Sequence, residues 1–97
     1  MDYEIEDKDL LALLQGEGDG AYPAGIGIVF RRRIRTIADA PNEQTLRQLR
    51  SWNLEKLKGN RSHQYSARLN RQYRLIIEFE ERDGTRTIII KGIEDYH

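Results

Sequence analysis

The sequence predicts a single α+β domain over residues 1–97, in which helices precede a mainly antiparallel β-sheet. Apolar residues of the first half recur at helical spacing, whereas those between positions 64 and 79 alternate with polar residues. An Asp-Gly dipeptide at 83–84 separates two strand-like segments, which is typical of a β-hairpin. A chain of this length builds one hydrophobic core, so we expect one domain.

Three amphipathic segments predict the helices. The first runs from Lys8 to about Gln15 and ends where glycine recurs at 16, 18 and 20. The second has Pro23 in its first turn, where the missing N–H costs nothing. Its apolar stripe consists of Ile26, Val29, Phe30, Ile34, Ile37 and Ala38. The third helix is brief and has Asn42 as its predicted N-cap.

Four segments predict strands. Residues 64–69 and 73–79 carry apolar side chains at odd positions, so each has one buried face. Residues 86–93 contain three consecutive isoleucines, which is typical of a strand covered on both faces. Residues 54–58 form a weaker candidate before a Gly-Asn turn.

Strand parity predicts which side chains meet. A loop at 70–72 allows Leu69 and Tyr73 to face the core together, and it sets Arg68 opposite Arg74 on the non-core face. The pairs expected from a turn centred on 83–84 are Phe79 with Ile88, Ile77 with Ile90 and Arg74 with Ile93. Residues 95–97 would then run beside the loop, so the two arginines and the tail meet at one end of the sheet.

Charge is balanced overall, with 16 basic and 16 acidic residues, but it is unevenly distributed. Residues 31–74 contain twelve lysines and arginines against three acids. A basic middle suits a surface that binds a polyanion, because neutralised phosphates release counterions. For the quartet Arg31, Arg32, Arg33 and Arg35, the alternative is a solvated helix face.

Composition excludes several classes of protein. The absence of cysteine rules out disulfides, a thiolate nucleophile and a cysteine-based metal site. The acidic N-terminus argues against a secretory signal, and no apolar run approaches the roughly 20 residues that span a bilayer. We therefore expect a soluble cytoplasmic protein without a membrane partner.

The adjacent Arg68 and Arg74 are the centre of the candidate site. Their repulsion is unfavourable unless an anion bridges them, and guanidinium groups present forked donors that match phosphate. The alternative is that each pairs with an acid, for which the candidates are Glu55, Glu78 and Glu94.

The last three residues supply further candidates. His97 is able to exchange a proton near neutral pH, unless it is simply a frayed end. Tyr96 suits stacking on a base or filling a hydrophobic edge, and Asp95 suits orienting a basic group or capping a strand end. His63 lies in a polar stretch and is interpreted as a surface residue.

Four blocks, Leu54–Arg61, Gln64–Asn70, Gln72–Arg74 and Asp95–His97, resemble in order and spacing those of HigB-type toxins of the RelE/ParE superfamily. The resemblance covers nearly the whole chain. It implies a small RelE-like domain with helices packed on one face of the sheet and a concave site on the other. It also implies a toxin that enters the ribosomal A site and cleaves mRNA. A helix-turn-helix antitoxin neutralises such toxins, and the complex binds operator DNA.

The resemblance maps the family's site onto Lys58, Arg68, Arg74, Asp95, Tyr96 and His97. We expect further RNA contacts from Lys56, Arg61 and Arg71. Some members place a histidine on the strand before the Lys-Gly turn. In this sequence, the proton-transfer role of that histidine would fall to Glu55, Lys56 or Lys58, or would be absent.

The leading hypothesis is therefore a metal-independent, cofactor-free endoribonuclease that uses the 2′-hydroxyl of ribosome-bound mRNA as its nucleophile. Arg68, Arg74 and Lys58 would hold the phosphate, and His97 would be the general acid or base. One alternative is a ParE-like toxin that inhibits DNA gyrase by binding. Another is a non-catalytic module that binds an antitoxin or nucleic acid.

Overall fold

In the computed structural model, which describes residues 1–95, a five-stranded sheet carries three helices on one face. The helices are α1 (Lys8–Leu14), α2 (Ile26–Asp39) and α3 (Glu43–Arg47). The strands are β1 (Asp2–Ile5), β2 (Glu55–Lys56), β3 (Gln64–Arg68), β4 (Tyr73–Arg82) and β5 (Thr85–Asp95). Their order is β1-β5-β4-β3-β2, and every neighbouring pair is antiparallel except β1 with β5. The predicted α+β fold with a mainly antiparallel sheet is confirmed.

The edge strand β1 is the element that sequence reasoning missed. It pairs in parallel with β5, with Tyr3 opposite Ile88 and Ile5 opposite Ile90. Its sequence alternates acids with Tyr3 and Ile5, so a period of two is present, but four residues are too few to distinguish it from an acidic tail. Only pairing with a distant strand gives this segment its conformation.

The helices form largely where periodicity predicted them. Asp7 caps α1 through Oδ1, which accepts from the backbone N–H groups of Asp9 and Leu10. Asn42 caps α3 as predicted, and its Oδ1 accepts from Thr45 N. The predicted start of the second helix at Pro23 is wrong, because Gly25 adopts a left-handed conformation (φ 88°) and α2 begins only at Ile26.

One face of the sheet packs against the helices. Phe30, Ile34 and Ile37 of α2 are buried in the main core cluster. The sheet contributes Ala67, Leu75, Ile77, Ile88 and Ile90 to the same cluster. The residues that β3 and β4 contribute to this cluster lie at the odd-numbered positions that the alternating pattern predicted to face the core.

The other face has no helix on it among residues 1–95, yet parts of it are buried. Ser66, Arg74, Ile76 and Ile89 are all nearly inaccessible to solvent, although none belongs to the helix-packed cluster. Long polar side chains cross this face, such as Arg61, which reaches from a 3₁₀ turn to both β3 and β5. The isoleucines at 88–90 are covered on both sides, as their sequence predicted.

A β-bulge corrects the predicted register between β4 and β5. The pairs Phe79–Ile88 and Ile77–Ile90 are observed, but Ile76 lies opposite Gly92, so Lys91 is an extra residue on β5. Arg74 therefore faces Glu94, and the predicted pairing with Ile93 is wrong. The bulge brings a carboxylate next to the buried arginine, which a regular ladder would not do. The weak strand predicted at 54–58 is reduced to Glu55–Lys56.

No helix within residues 1–95 is both long enough and apolar enough to cross a bilayer.

Glu43 connects α3 to β5 through two arginines. Its Oε2 accepts from Arg47 Nε and Nη2 at 2.8 and 2.6 Å, and its Oε1 accepts from Arg86 Nε at 2.9 Å. Burial raises the pKa of the Glu43 carboxyl, but the hydrogen bonds and charges of the two arginines outweigh burial and leave that pKa below its ordinary value of 4.5. The carboxylate form is therefore favoured in the folded protein.

We expect the free energy of unfolding to fall on acidification partly because of Glu43. A carboxyl whose pKa is lower when folded stabilises the protein above its unfolded pKa, and that contribution is lost as pH falls through the folded pKa. Glu43→Gln should be less stable than the parent near neutral pH and should lose less stability below about pH 4.5. Urea titrations over this range measure the difference. Glu81→Gln, at an exposed position without an ion pair in residues 1–95, is the control; an equal acid sensitivity of all three proteins would contradict the prediction.

Candidate functional site

The candidate site lies at the end of the sheet where β3 and β4 join. Arg68, the last residue of β3, lies directly opposite Arg74, as predicted. On the other side of β4, Glu94 lies opposite Arg74 and Asp95 lies opposite Tyr73. Two guanidinium groups and two carboxylates therefore share one edge of the fold.

Arg74 is the buried member of the pair, with only 5% of its surface exposed. Its Nε donates to Ser66 Oγ at 2.7 Å, and its Nη2 donates to Ser66 O at 2.9 Å and to Asn53 O at 2.5 Å. All three of these acceptors are neutral oxygens. The side chain thus ties β4 to β3 and to the residue that precedes β2.

Arg68 is the exposed member. Its Nε donates to the carbonyl of Asn70 at 3.3 Å, and no carboxylate within residues 1–95 lies at ion-pair distance from it. The acids proposed as alternative partners have other contacts: Glu94 pairs with Arg61, Glu78 accepts from Gln64, and Glu55 accepts from Asn53. For Arg68, the ion-pair alternative is not observed in this part of the chain. No carboxylate of the described residues therefore compensates its charge at this end of the sheet.

Arg61 lies across the non-helical face. Its two terminal nitrogens bind the two carboxylate oxygens of Glu94 at 3.1 and 2.7 Å, and its Nε donates to Gln64 Oε1 at 2.9 Å. The hydrogen bond with Glu94 raises the pKa of the Arg61 guanidinium. This predicted RNA contact therefore already holds an acid, and its contact neutralises the carboxylate that the bulge places next to Arg74.

The loop between β3 and β4 is shaped by Asn70. Its Oδ1 accepts from the backbone N–H groups of Gln72 and Tyr73, both at 2.8 Å. Gln72 Nε2 in turn donates to Asp95 Oδ2 at 3.1 Å, so Asp95 fastens the loop to the end of β5. Arg71 is exposed between them and has no ion pair in the described chain.

The residues around β2 do not all reach the site. Glu55 lies opposite Ser66, whose hydroxyl binds Arg74, so Glu55 faces the same side of the sheet as the buried arginine. Lys56 lies opposite Tyr65 and therefore points to the helix side, away from the two arginines. Lys58 is exposed at the entry to the 3₁₀ turn that carries Arg61. Of Glu55, Lys56 and Lys58, Glu55 is the residue whose strand pairing places it on the face of Arg74.

Tyr96 and His97 lie outside the described residues. Their predicted approach to the arginines remains a prediction. His63 is exposed, as interpreted from sequence, with its Nε2 3.6 Å from Glu78 Oε2.

The arginine quartet of α2 does not act as a unit. Arg31 donates to the carbonyl of Leu13 and pairs with Asp19, whereas Arg32 and Arg35 are exposed without an ion pair in residues 1–95. Arg33 donates to the carbonyl of Arg68. Arg32 and Arg35 therefore fit the interpretation as a solvated helix face, whereas Arg31 and Arg33 make contacts within the fold.

Sequence reasoning overlooked the residues that support the site, namely Ser66, Asn53 and Arg33. Ser66 lies two residues before Arg68 on β3, so the sequence predicts that both side chains lie on the same face of the sheet. A lone serine, however, does not indicate a buried hydrogen bond. Asn53 contributes a backbone oxygen from a left-handed residue (φ 41°), which no side-chain pattern specifies.

Lys58, Arg68 and Arg71 are all exposed at the candidate site. Two hollows of about 710 and 720 Å³ lie instead around the β4–β5 hairpin, where Asp2 and Thr85 line both of them. Neither is lined by Arg68, Arg74 or their loop. Among residues 1–95, no three acidic or histidine side chains converge in a way that would hold a metal ion. The cations at this edge carry charge that complements an anionic ligand.

Comparisons with known proteins agree with this fold. A family model described as the RelE-like toxin of the type II toxin–antitoxin system HigB matches residues 4–97. The fold is similar to that of a YoeB/ParE toxin from Agrobacterium tumefaciens, with a TM-score of 0.65, 12% sequence identity and 100% of both chains covered. No curated protein sequence matches the chain.

We expect removal of the Ser66 hydroxyl to destabilise the fold. Ser66→Ala deprives the buried Arg74 Nε of its acceptor, and a lost hydrogen bond to a charged group costs about 1.5–3 kcal/mol. Urea unfolding measures the change. Ser62→Ala, at an exposed serine one turn before β3, should stay close to the parent, and equal stability of the two variants would show that the Ser66 contact contributes little.

Proposed function

The chain belongs to the family of HigB-like, RelE-like toxins of type II toxin–antitoxin systems, and on that premise we propose that it is an endoribonuclease acting on ribosome-bound mRNA. The observation that carries the proposal is the pair of adjacent guanidinium groups at an open edge, one of them exposed and without a carboxylate partner in residues 1–95. Such a pair suits the phosphodiester backbone of an extended strand.

In the proposed reaction, the 2′-hydroxyl of the substrate attacks the adjacent phosphate. The O2′–P bond forms and the P–O5′ bond breaks, which leaves a 2′,3′-cyclic phosphate and a 5′-hydroxyl. A base takes the proton of the 2′-hydroxyl, and an acid donates a proton to the departing 5′-oxygen. Because the nucleophile is intramolecular, the reaction needs positioning and charge stabilisation, and cationic side chains supply both without a metal.

The two arginines have different roles at the phosphate. Arg68 is exposed and donates directly to a phosphate oxygen, whereas the buried Arg74 contributes its charge from a position fixed by Ser66 and Asn53. Lys58 extends the cationic edge along the part of the RNA that leads away from the scissile bond. Preorganised charge of this kind stabilises the transition state, because no reorganisation is needed when negative charge develops.

The proton transfers fall to His97 and a partner. His97 is the proposed general acid or base, and Glu55 is the proposed second group because it shares the face of Arg74. Tyr96 orients a base by stacking. Asp95 acts indirectly, since its contact with Gln72 fixes the loop that follows Arg68.

The RNA path continues from the site along Arg71, which is exposed in the loop beside Arg68. Arg61 reaches RNA only by exchanging its contact with Glu94 for a phosphate. Lys56 contacts a flanking nucleotide from the opposite side of the edge strand.

A type II toxin has an antitoxin as its partner. We propose that this antitoxin is a helix-turn-helix protein and that the complex, rather than the toxin alone, binds operator DNA. Action on ribosomes places the protein in the cytoplasm.

The proposal predicts mRNA cleavage that depends on Arg68 and His97. When the protein is induced in cells and mRNA 5′ ends are mapped, the parent should produce new ends within coding regions. Deletion of His97 should reduce them by about 10²–10⁴-fold, the usual contribution of a general acid or base. Arg68→Met should reduce them because the phosphate loses its direct donor. Arg35→Met removes the same charge from an exposed position on α2 and should leave cleavage unchanged.

Other outcomes of the same induction would replace the proposal. DNA damage and supercoiling defects without new mRNA ends would indicate a ParE-like toxin that inhibits DNA gyrase. Unchanged growth in the absence of an antitoxin would indicate a non-catalytic binding module. Full cleavage after loss of His97 would retain the nuclease but assign proton transfer to other groups.

A further inference from the structure

We propose that Arg33 of α2 is a positioning residue, which fixes the end of β3 and thereby presents the Arg68 side chain to the phosphate; this rests on the proposed function. Arg33 Nε and Nη2 both donate to the backbone carbonyl of Arg68, at 3.1 and 2.9 Å. The residue lies 35 positions away in sequence, on the helical layer, and none of its contacts reaches the face that carries Ser66 and Arg74.

The Arg68 carbonyl needs a partner because of the alternation of the ladder. Leu69 N donates to Tyr73 O, so residues 69 and 73 form a hydrogen-bonded pair. In an antiparallel ladder such pairs alternate with non-bonded ones, so the backbone groups of Arg68 point away from β4. They point towards the side of the sheet on which β2 lies.

The strand β2 does not reach far enough to satisfy this carbonyl. Its register sets Glu55 opposite Ser66, and continuing that register would set Asn53 opposite Arg68. Asn53 has left the strand, however, since it adopts a left-handed conformation and its N–H donates to Arg50 O. The carbonyl at the end of β3 is therefore left for a side chain, and Arg33 supplies the donors.

The position of Arg33 is itself determined by packing. Phe30, Ile34 and Ile37 anchor α2 in the core, and the Arg33 guanidinium lies 5.7 Å from the centroid of the buried Trp52 ring. Burial lowers the pKa of Arg33, and the charge of Arg32 adds to this effect. Arg33 forms no ion pair within residues 1–95, so it also adds positive charge near Arg68. A stacked guanidinium with two parallel donors is more restricted than a lysine would be.

Arg33 and Arg74 thus hold the end of β3 from opposite faces of the sheet. Arg74 binds the carbonyl of Ser66, and Arg33 binds the carbonyl of Arg68 two residues later. Within residues 1–95 the Arg68 side chain forms a single hydrogen bond, to the neighbouring Asn70 carbonyl, so its direction depends on the backbone that these two arginines fix. Catalysis is sensitive to such placement, because a shift of about 1 Å can cost about 10²-fold in rate.

Arg33→Met tests the inference, since methionine retains an unbranched stem over Trp52 but has no donor. The variant should cleave ribosome-bound mRNA with kcat lowered by at least about tenfold and KM changed by less than about twofold. Arg33→Lys retains the charge but has a single donor nitrogen, so its kcat should fall between those of the parent and Arg33→Met. Arg32→Met, which removes a charge from the adjacent exposed position, should match the parent.

A double-variant comparison separates positioning from a general loss of stability. If Arg33 acts through Arg68, Arg33→Met should lower kcat no further in a protein that already carries Arg68→Met. Multiplicative losses would overturn the inference, and so would an unchanged kcat in Arg33→Met. Thermal unfolding of each variant establishes that the compared proteins are folded under the assay conditions.

A second measurement is independent of cleavage. The NMR signal of the Arg68 Nε–H group, titrated with inorganic phosphate, should respond more weakly in Arg33→Met than in the parent or in Arg32→Met. Equal responses would overturn the inference. A weaker response in a protein whose parent cleaves no mRNA would support the positioning role and reject the nuclease proposal alone.

Discussion

Arg74 places a guanidinium group almost completely out of solvent, and such a group is tolerated only when its donors are satisfied. Ser66 supplies a hydroxyl and a carbonyl on the neighbouring strand, and Asn53 supplies a second carbonyl before β2. These contacts join β4 to β3 and to the segment before β2, and β2 itself pairs with β3 through only two residue pairs. The requirement to satisfy one buried cation therefore fixes β4, β3 and the residue before β2 relative to one another at this end of the sheet.

The zero net charge conceals a division between compensated and uncompensated cations. Near the β4–β5 hairpin, Arg82 pairs with Glu4 and Glu80, and Arg86 pairs with Glu43. At the other end, the cations that form no ion pair in the described part of the chain include Lys56, Lys58, Arg68 and Arg71, together with Arg33 on the helical side. A polyanion responds to the local electrostatic field and not to the net charge of the whole protein. A neutral protein with this distribution of charge therefore still has a basic edge. The balanced total is thus compatible with a substrate that carries many phosphates.

Sequence reasoning predicted the placement of the arginine pair because strand parity is a strong constraint. The alternation in β3 and β4 was sufficient to set Arg68 opposite Arg74, and the Asp-Gly turn was sufficient to pair Ile77 with Ile90. The prediction was wrong beyond Ile90, because a bulge at Lys91 inserts one residue. The local signal of that bulge is Gly92, because an isolated glycine within a strand suggests a bulge. The bulge exchanges Ile93 for Glu94 as the neighbour of Arg74. The start of α2 was misplaced for a related reason, since the left-handed Gly25 interrupts an otherwise helical pattern.

The sequence by itself determined the α+β class, the order of the helices and strands that follow β1, much of the helix-packed core and the meeting of two arginines. These features follow from local periodicity and turn chemistry, which act over a few residues. The tertiary structure alone decided that Arg74 is buried, that Arg68 is exposed, that Arg61 neutralises Glu94 and that Arg33 reaches the end of β3. Those outcomes depend on donors and acceptors far apart in the chain, and a pattern of neighbouring residues carries no information about which distant oxygen will lie within hydrogen-bond distance.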